Sequence, residues 1–378
     1  MIRILQCVNI MDRAGLENML MNYYRNIDRT KIQFDFLTHR EEKGAYEDEI
    51  ISMGGKVYHA PRLYPQNYPL YFKWMKNFFT KHPEYKIVHS HIDAMSYFPL
   101  LAAKKASVPI RIAHSHSSKL DRDIKLPIKY FALKKLPFVS NVYCACGQKA
   151  GKFMFGSRRF SVIHNAIDLQ KFSYEELKRK SKRDELDIEK DVFVIGHVGR
   201  YCYIKNQLFL IDIFSKLLQE KQNCMLLLIG NGPDEAKIKT KIDTLGISDK
   251  VKLLKNRDDV NELYQVMDVF VMPSLFEGLP VVGVEAQANG LPCILSNRIS
   301  NEVILSDCVQ MLDLDDGINA WKNAILSVDT KRSVDSINQL EANGYNVVRE
   351  SKKLSEYYNS LLKGIDLDGT IDDNHANI

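Results

Sequence analysis

Short apolar runs alternate with amphipathic stretches along most of the chain. Runs at residues 2–8, 33–37, 56–59, 87–90, 110–113, 141–144 and 160–163 are flanked by polar and turn residues. Continuous apolar runs of this length read as strands buried on both faces. Between them, 16–26, 70–80 and 96–105 repeat apolar positions at helical spacing. The pattern pauses over 173–190, which is polar and charge-rich and reads as the region of an interdomain connection. A second series then follows. Its strands fall at 192–198, 224–229, 251–254, 269–272, 293–295 and 309–312, and its helices at 207–219, 235–244, 260–267 and 281–288.

Strands alternating with helices predict parallel sheets covered on both faces. The fold class expected is therefore α/β, with two tandem Rossmann-like doubly wound domains facing a cleft. Residues 1–185 form the first domain and 186–345 the second. A helix over 346–364 crosses back towards the first domain. The acidic tail 365–378 has few core residues and is expected to be disordered. In doubly wound sheets ligands collect at the carboxyl ends of the strands, so the loops that follow strands are where chemistry is sought.

Composition narrows this only a little. With 378 residues, 45% hydrophobic and 26% charged, the chain is long enough to bury two cores without metals or disulfides. The first strand begins at Ile2 with no signal-like run before it, and no apolar stretch is long enough to span a bilayer. A cytoplasmic protein is expected, with a peripheral place on the inner face of the cell membrane as a further expectation. Seven cysteines, an odd number, suit a reducing compartment. Cys144 and Cys146 have no second pair at zinc-ligand spacing and read as buried thiols.

Charge changes the picture more. Residues 1–180 carry 30 Lys+Arg against 16 Asp+Glu, a balance of +14, while the remainder sums to −9. Such asymmetry points to an anionic partner for the first half: nucleic acid, an anionic membrane surface or a phosphorylated lipid. Lys119, Arg122, Lys125, Lys129, Lys134 and Lys135 interleave with Ile124, Leu126, Ile128, Tyr130, Phe131 and Leu133. That segment suits either anionic lipid or an ordinary basic surface. The aromatic residues of this half form no base-stacking motif, which argues against nucleic acid.

The most informative segment runs from Pro273 to Ala286. A strand enters a glycine-containing loop, and a helix opens near Pro280. Amides around Gly278, Leu279 and Val281 make an anion site at a helix N-terminus. Glu277 and Glu285 flank it. A carboxylate beside phosphate is repelled unless it has another task, and accepting hydrogen bonds from sugar and ribose hydroxyls is the task that fits. Upstream, Gly199 ends a strand and Arg200 and Lys205 follow, two cations suited to a diphosphate that gains charge as it leaves. Gly230 and Gly232 follow the next strand. Glu235 stands where a dinucleotide fingerprint needs its third glycine, so the pair is read as a backbone approach to one nucleoside, or as a plain tight turn.

In the first half, Gly15 opens a helix after the first strand and offers amides to phosphate. His89 and His91, and His114 and His116, end two further strands. These four either line a sugar pocket or gather around a metal, and no carboxylate or cysteine at ligand spacing supports the metal.

Taken together, Glu277-x7-Glu285, Gly199-Arg200, Lys205, Gly230-x-Gly232 and the junction His164-Asn165-Ala166-Ile167-Asp168 with Phe172 resemble glycosyltransferase family 4, whose members have the GT-B fold. The likeness covers roughly residues 1–363. It implies a retaining transferase that needs no metal and no cofactor beyond a nucleotide-diphosphate sugar, with uridine the commonest base. It implies that Arg200 and Lys205 hold the diphosphate, Glu277 the donor sugar, Glu285 the ribose and the Gly15 loop the phosphates. It places His116, or else His114, beside the reacting sugar, and Arg257 near the base; the strand-end position of His91 and His114 makes both candidates for the sugar pocket. Two departures stand out: Ala14-Gly15 replaces paired glycines, and Asn165-Ala166 replaces Asn-Gly. The overall look is that of bacterial capsular and exopolysaccharide enzymes, whose acceptors are saccharides on polyprenyl diphosphate. A sugar-nucleotide epimerase of the same fold and a non-catalytic nucleotide-sugar sensor are the other readings of these residues.

Overall fold

The computed structural model describes residues 1–120, 124–255 and 257–364. Arg122 and the tail expected over 365–378 lie outside the described residues. The chain forms two units, one of residues 1–167 with the chain from 344 onward, the other of 168–343.

The first unit holds a parallel sheet of β1 (Ile2–Val8), β2 (Ile32–Thr38), β3 (Val57–His59), β4 (Ile87–Ser90), β5 (Ile110–Ser115), β6 (Val142–Ala145) and β7 (Ser161–Val162), in the order β3-β2-β1-β4-β5-β6-β7. Every residue of β2 and β4 is buried, as expected for strands covered on both faces. The last helix, Val347–Leu362, belongs to this unit. It packs on the helix Gly15–Asn26 and places Tyr357 and Tyr358 in the core beside Phe34 and Ile87.

The second unit holds β8 (Phe193–Val198), β9 (Cys224–Ile229), β10 (Val251–Leu254), β11 (Val269–Met272), β12 (Cys293–Ser296) and β13 (Val309–Leu312), again all parallel, in the order β10-β9-β8-β11-β12-β13. In both sheets the strand order reverses once. The reversals lie between β1 and β4 and between β8 and β11, and each opens a crevice at the carboxyl ends of those strands.

The segment expected to be a connection is instead a helix, Glu176–Glu185, and an integral part of the second unit. Its polar look is deceptive because two of its cations, Lys182 and Arg183, are buried and paired. The Lys182 ammonium meets Glu185, Asp259 and Glu262 at 2.6–2.8 Å. The Arg183 guanidinium donates to the carbonyls of Glu189, Lys190, Val192 and Val266 and to Asp268. The second unit therefore starts at Asp168, not at residue 186.

Candidate active site

The second unit brings its two informative loops together at the β8/β11 crevice. The loop after β8 is tied to the loop after β11 by backbone and side chain. Leu275 N–H donates to the Ile204 carbonyl at 2.8 Å, and the Asn206 amide donates to the Pro273 carbonyl at 3.0 Å. Asn206 adopts a left-handed conformation (φ 57°), which an asparagine tolerates and which turns the chain into the helix Gln207–Leu218. Gln207 steadies the same loop by donating to the Arg200 carbonyl at 2.9 Å. Tyr201 anchors it from below, its hydroxyl donating to the Leu228 carbonyl at 2.9 Å.

Within this frame Lys205 Nζ lies 2.7 Å from Glu277 Oε1, with the two side chains 17% and 18% exposed. The approach is close but off the hydrogen-bonding direction, so Oε1 accepts no aligned hydrogen bond. A half-buried carboxylate thus has its charge balanced while one oxygen keeps its acceptor capacity. Arg200 is exposed, and its guanidinium has no partner among the described residues.

Pro280 caps the helix Val281–Ala288. The amides of Gly278, Leu279, Val281 and Val282 have no acceptor among the described residues, and a side chain at Gly278 would meet nothing within 4 Å. Open amides at a helix N-terminus attract anions. One turn further, the Tyr264 hydroxyl lies 2.9 Å from Glu285 Oε2 and 3.2 Å from the Val282 carbonyl. Burial raises the Glu285 carboxyl to about 7, against the opposing pull of Tyr264 and Lys171. The residue keeps some accessible surface, but its carboxyl sits among protein atoms.

Gly230 and Gly232 have an internal explanation rather than a ligand-facing one. Both have positive φ (148° and 156°), and a Cβ on them would come within 2.1 Å of the Gly199 carbonyl oxygen and 2.3 Å of that of Tyr201. They let the loop after β9 nest against the loop after β8. Arg257 is likewise engaged elsewhere. It forks onto Asp259 at 2.5–2.7 Å and reaches Glu185 at 3.2 Å, within the ion network of the helix Glu176–Glu185. Among the described residues no hydrogen bond or ion pair links it to the Glu277–Glu285 loop.

In the first unit the β1/β4 crevice gathers the Gly15 loop and the histidines. A side chain at Gly15 would meet nothing within 4 Å, so this helix start is open too. His89, His91 and His114 are almost wholly buried and do not line an open pocket, which corrects the expectation for His91 and His114. Only His116 of the four keeps appreciable accessible surface. Its backbone N–H donates to Asp93 Oδ1 at 2.7 Å. Burial holds it neutral, down to about 3. Ring nitrogens of His89, His91 and His114 lie within 4.8 Å of one another, a spacing a metal ion could use. Hydrogen bonds nevertheless occupy all of those rings' nitrogens except His114 Nε2.

A cavity of about 510 Å³ in the second unit opens at the amino ends of β12 and β13, beside Arg332, Cys308 and Asp335. That is the wrong edge of a doubly wound sheet for the chemistry above. Sequence reasoning missed Tyr264, which holds Glu285, and Asn206, which joins the two loops. Neither carries a motif of its own.

Two doubly wound parallel units in one chain, with an anion-ready helix start and paired Lys and Glu at a switch point, define the class: a two-domain GT-B protein. The comparisons make this specific. Residues 178–361 match the family Glycosyl transferases group 1. The chain is 36% identical over 332 residues to the putative glycosyltransferase EpsF of Bacillus subtilis, covering 85% of this chain and 86% of that protein. It is 26% identical over 298 residues to an Escherichia coli UDP-Gal:alpha-D-GlcNAc-diphosphoundecaprenol alpha-1,3-galactosyltransferase, covering 74% and 76%. The fold matches Anabaena HepE, solved in complex with UDP-glucose, with a TM-score of 0.77, 18% identity, and 95% and 100% of the two chains covered. The chain belongs to the group 1 glycosyl transferases and is a glycosyltransferase.

Proposed function

We propose that the protein transfers a sugar, with retention of configuration, from a UDP-sugar to a lipid-linked saccharide in cell-surface polysaccharide synthesis. The observation that carries this reading is the Lys205–Glu277 pair beside the open amides of Gly278 and Leu279. A bare carboxylate would repel a diphosphate, whereas one neutralised by Lys205 can stand next to it and take sugar hydroxyls. Lys205 has three donors, so it can hold Glu277 and a phosphate oxygen at once. Arg200, exposed and unpaired, adds a forked contact to the diphosphate.

Glu285 is assigned to the ribose, since it sits one turn into the helix whose start meets the phosphates. Gly15 is assigned to the phosphates and His116 to the reacting sugar. Arg257 and the Gly230–Gly232 pair take no direct role. The bond from the anomeric carbon to the diphosphate oxygen breaks, and a bond to the acceptor hydroxyl forms on the same face. The acceptor's proton passes to the leaving diphosphate. Arg200, Lys205 and the helix start stabilise the charge that develops there. A neutral His116 serves this scheme as a hydrogen-bonding group and not as an acid, and the scheme needs no metal.

The relatives support the wider reading. The Escherichia coli enzyme's name specifies a UDP-sugar and a diphosphoundecaprenol-linked acceptor, and a Staphylococcus aureus relative 25% identical over 378 residues is a capsular polysaccharide biosynthesis glycosyltransferase. Among the described residues no helix is long and apolar enough to cross a membrane. The helix Leu126–Lys135 and its flanks expose Ile124 (96%), Tyr130, Phe131 and Phe138 beside Lys134 and Lys135. Such a surface suits peripheral contact with anionic lipid and delivery of a lipid-linked acceptor.

The test is incubation with a panel of UDP-sugars and short polyprenyl-diphosphate saccharides, with the product's anomeric configuration read by NMR. Inversion, or product from GDP- or ADP-sugars alone, would overturn the proposal.

A further inference from the structure

The four histidines of the β1/β4 crevice are not independent. Gln6, fully buried in the middle of β1, joins them into one chain of hydrogen bonds. Its carbonyl oxygen lies 2.8 Å from His91 Nε2, and His91 Nδ1 lies 3.0 Å from His116 Nε2. Its amide nitrogen lies 3.3 Å from the Tyr358 hydroxyl, which lies 2.8 Å from His89 Nδ1, and His89 Nε2 lies 3.0 Å from His114 Nδ1.

Each link dictates the next. A carbonyl oxygen only accepts, so His91 carries its proton on Nε2. Burial keeps the imidazoles neutral, so His91 Nδ1 is then an acceptor and His116 must donate from Nε2. His116 Nδ1 is left bare, with no partner among the described residues. On the other branch the Gln6 amide donates to Tyr358, Tyr358 to His89 Nδ1, and His89 Nε2 to His114 Nδ1. That ends at His114 Nε2, which is buried and has no partner among the described residues.

Turning the Gln6 amide over reverses every bond and moves the proton of all four rings to Nδ1. An amide's orientation follows from such a network, and here the two alternatives differ in the same sense at each of the four rings. As drawn, all four rings hold the Nε2–H form that neutral histidine favours in water. Reversed, all four hold the less favoured form.

We propose that Gln6, acting through His91, is a positioning residue that fixes His116 in its Nε2–H form and presents Nδ1 as an acceptor for a sugar hydroxyl. This rests on the reading of His116 as the group beside the reacting sugar, and it adds what sets that group's hydrogen-bonding sense. Gln6 and His91 touch no substrate in this scheme.

The experiment is long-range 1H–15N NMR of the histidine rings in the full-length protein, with a His116→Asn variant to assign the ring. The wild type is expected to show His116 Nδ1 as unprotonated and Nε2 as protonated. In Gln6→Leu, the His91 and His116 resonances should move to values averaged over both tautomers. The same variant should bind UDP within about twofold of the wild type, because UDP lacks the transferred sugar that would meet Nδ1, while UDP release from a UDP-sugar panel falls about tenfold. A wild-type His116 protonated on Nδ1, or unchanged His116 resonances in Gln6→Leu, would overturn the proposal. The wild-type spectrum decides it even if Gln6→Leu does not fold. Unchanged turnover in His116→Ala would instead sink the catalytic reading of His116 and leave the tautomer result standing.

Discussion

Lys205 Nζ lies 2.7 Å from Glu277 Oε1, although 72 residues separate them in sequence. The pair makes a carboxylate tolerable beside a diphosphate, and it predicts unequal effects of removing its members. Lys205→Ala removes the leaving-group cation and leaves Glu277 unneutralised. Turnover should fall by about 100- to 1000-fold, the usual cost of one charge-stabilising group, and UDP affinity should fall with it. Glu277→Gln should leave UDP affinity within about threefold while turnover of the sugar nucleotide drops at least tenfold, since an amide keeps one acceptor but loses the charge. Titrations with UDP and steady-state rates in the two variants check this. Equal loss of UDP affinity in both would contradict it.

Glu285 predicts a pH signature. A free glutamate releases its proton near 4.5, and burial raises this one to about 7 in the folded protein. Between those values the folded state binds more protons than the unfolded, so this group's contribution to stability falls as pH rises from about 4.5 to 7 and then levels off. Glu285→Gln keeps an acceptor for Tyr264 and removes the charge. Its stability relative to the wild type should therefore rise from pH 5 to pH 8, by an order-of-magnitude figure of up to about 3 kcal/mol. Thermal melts of both proteins across that range check it, and a pH-independent difference would refute the burial argument.

Gly232→Ala should be destabilising by at least about 2 kcal/mol, because a Cβ there combines a positive φ with a 2.3 Å approach to the Tyr201 carbonyl oxygen. UDP affinity should fall as well, since the displaced loop carries Arg200 and Lys205. Denaturant unfolding and UDP binding measured on the same variant test the two parts.

Turnover should persist in excess chelator, and the purified protein should take up no stoichiometric zinc or cobalt. The reason lies in the histidines: apart from His114 Nε2, the nitrogens of His89, His91 and His114 are spent on one another, on His116, on Gln6 and on Tyr358. Activity lost to chelator and restored by one divalent ion would move weight to a metal at His89, His91 and His114.

The exposed apolar and basic residues around the helix Leu126–Lys135 predict salt-sensitive binding to vesicles containing anionic lipid, weakened by Phe131→Ser and by Lys134→Glu together with Lys135→Glu. Vesicle co-sedimentation at two ionic strengths measures it. Binding that ignores both the substitutions and lipid charge would contradict the assignment.

Much of this was legible in the sequence, for identifiable reasons. Parallel strands buried on both faces read as apolar runs, so all thirteen strands fell where the pattern put them to within a residue or two. Strand order did not, because it depends on which way each crossover turns, and the two switch points emerge only in the sheets. Glu277 and Glu285 were legible as a spaced pair within one loop and helix. The partnership of Glu277 with Lys205 was not, since nothing local connects them. The helix Glu176–Glu185 was missed because its buried positions hold Lys182 and Arg183, which pattern reasoning assigns to solvent. The histidines were visible at strand ends, but the hydrogen-bond partner of His89, Tyr358, arrives from the last helix.

The most direct measurement is a thermal-shift and calorimetric comparison of UDP, GDP, ADP, CMP and NAD, on the wild type and on Glu285→Ala. The account predicts stabilisation by UDP above the other ligands and a marked loss of that response in the variant. No response to any nucleoside diphosphate, or a response to NAD alone, would contradict the donor site on which the rest is built.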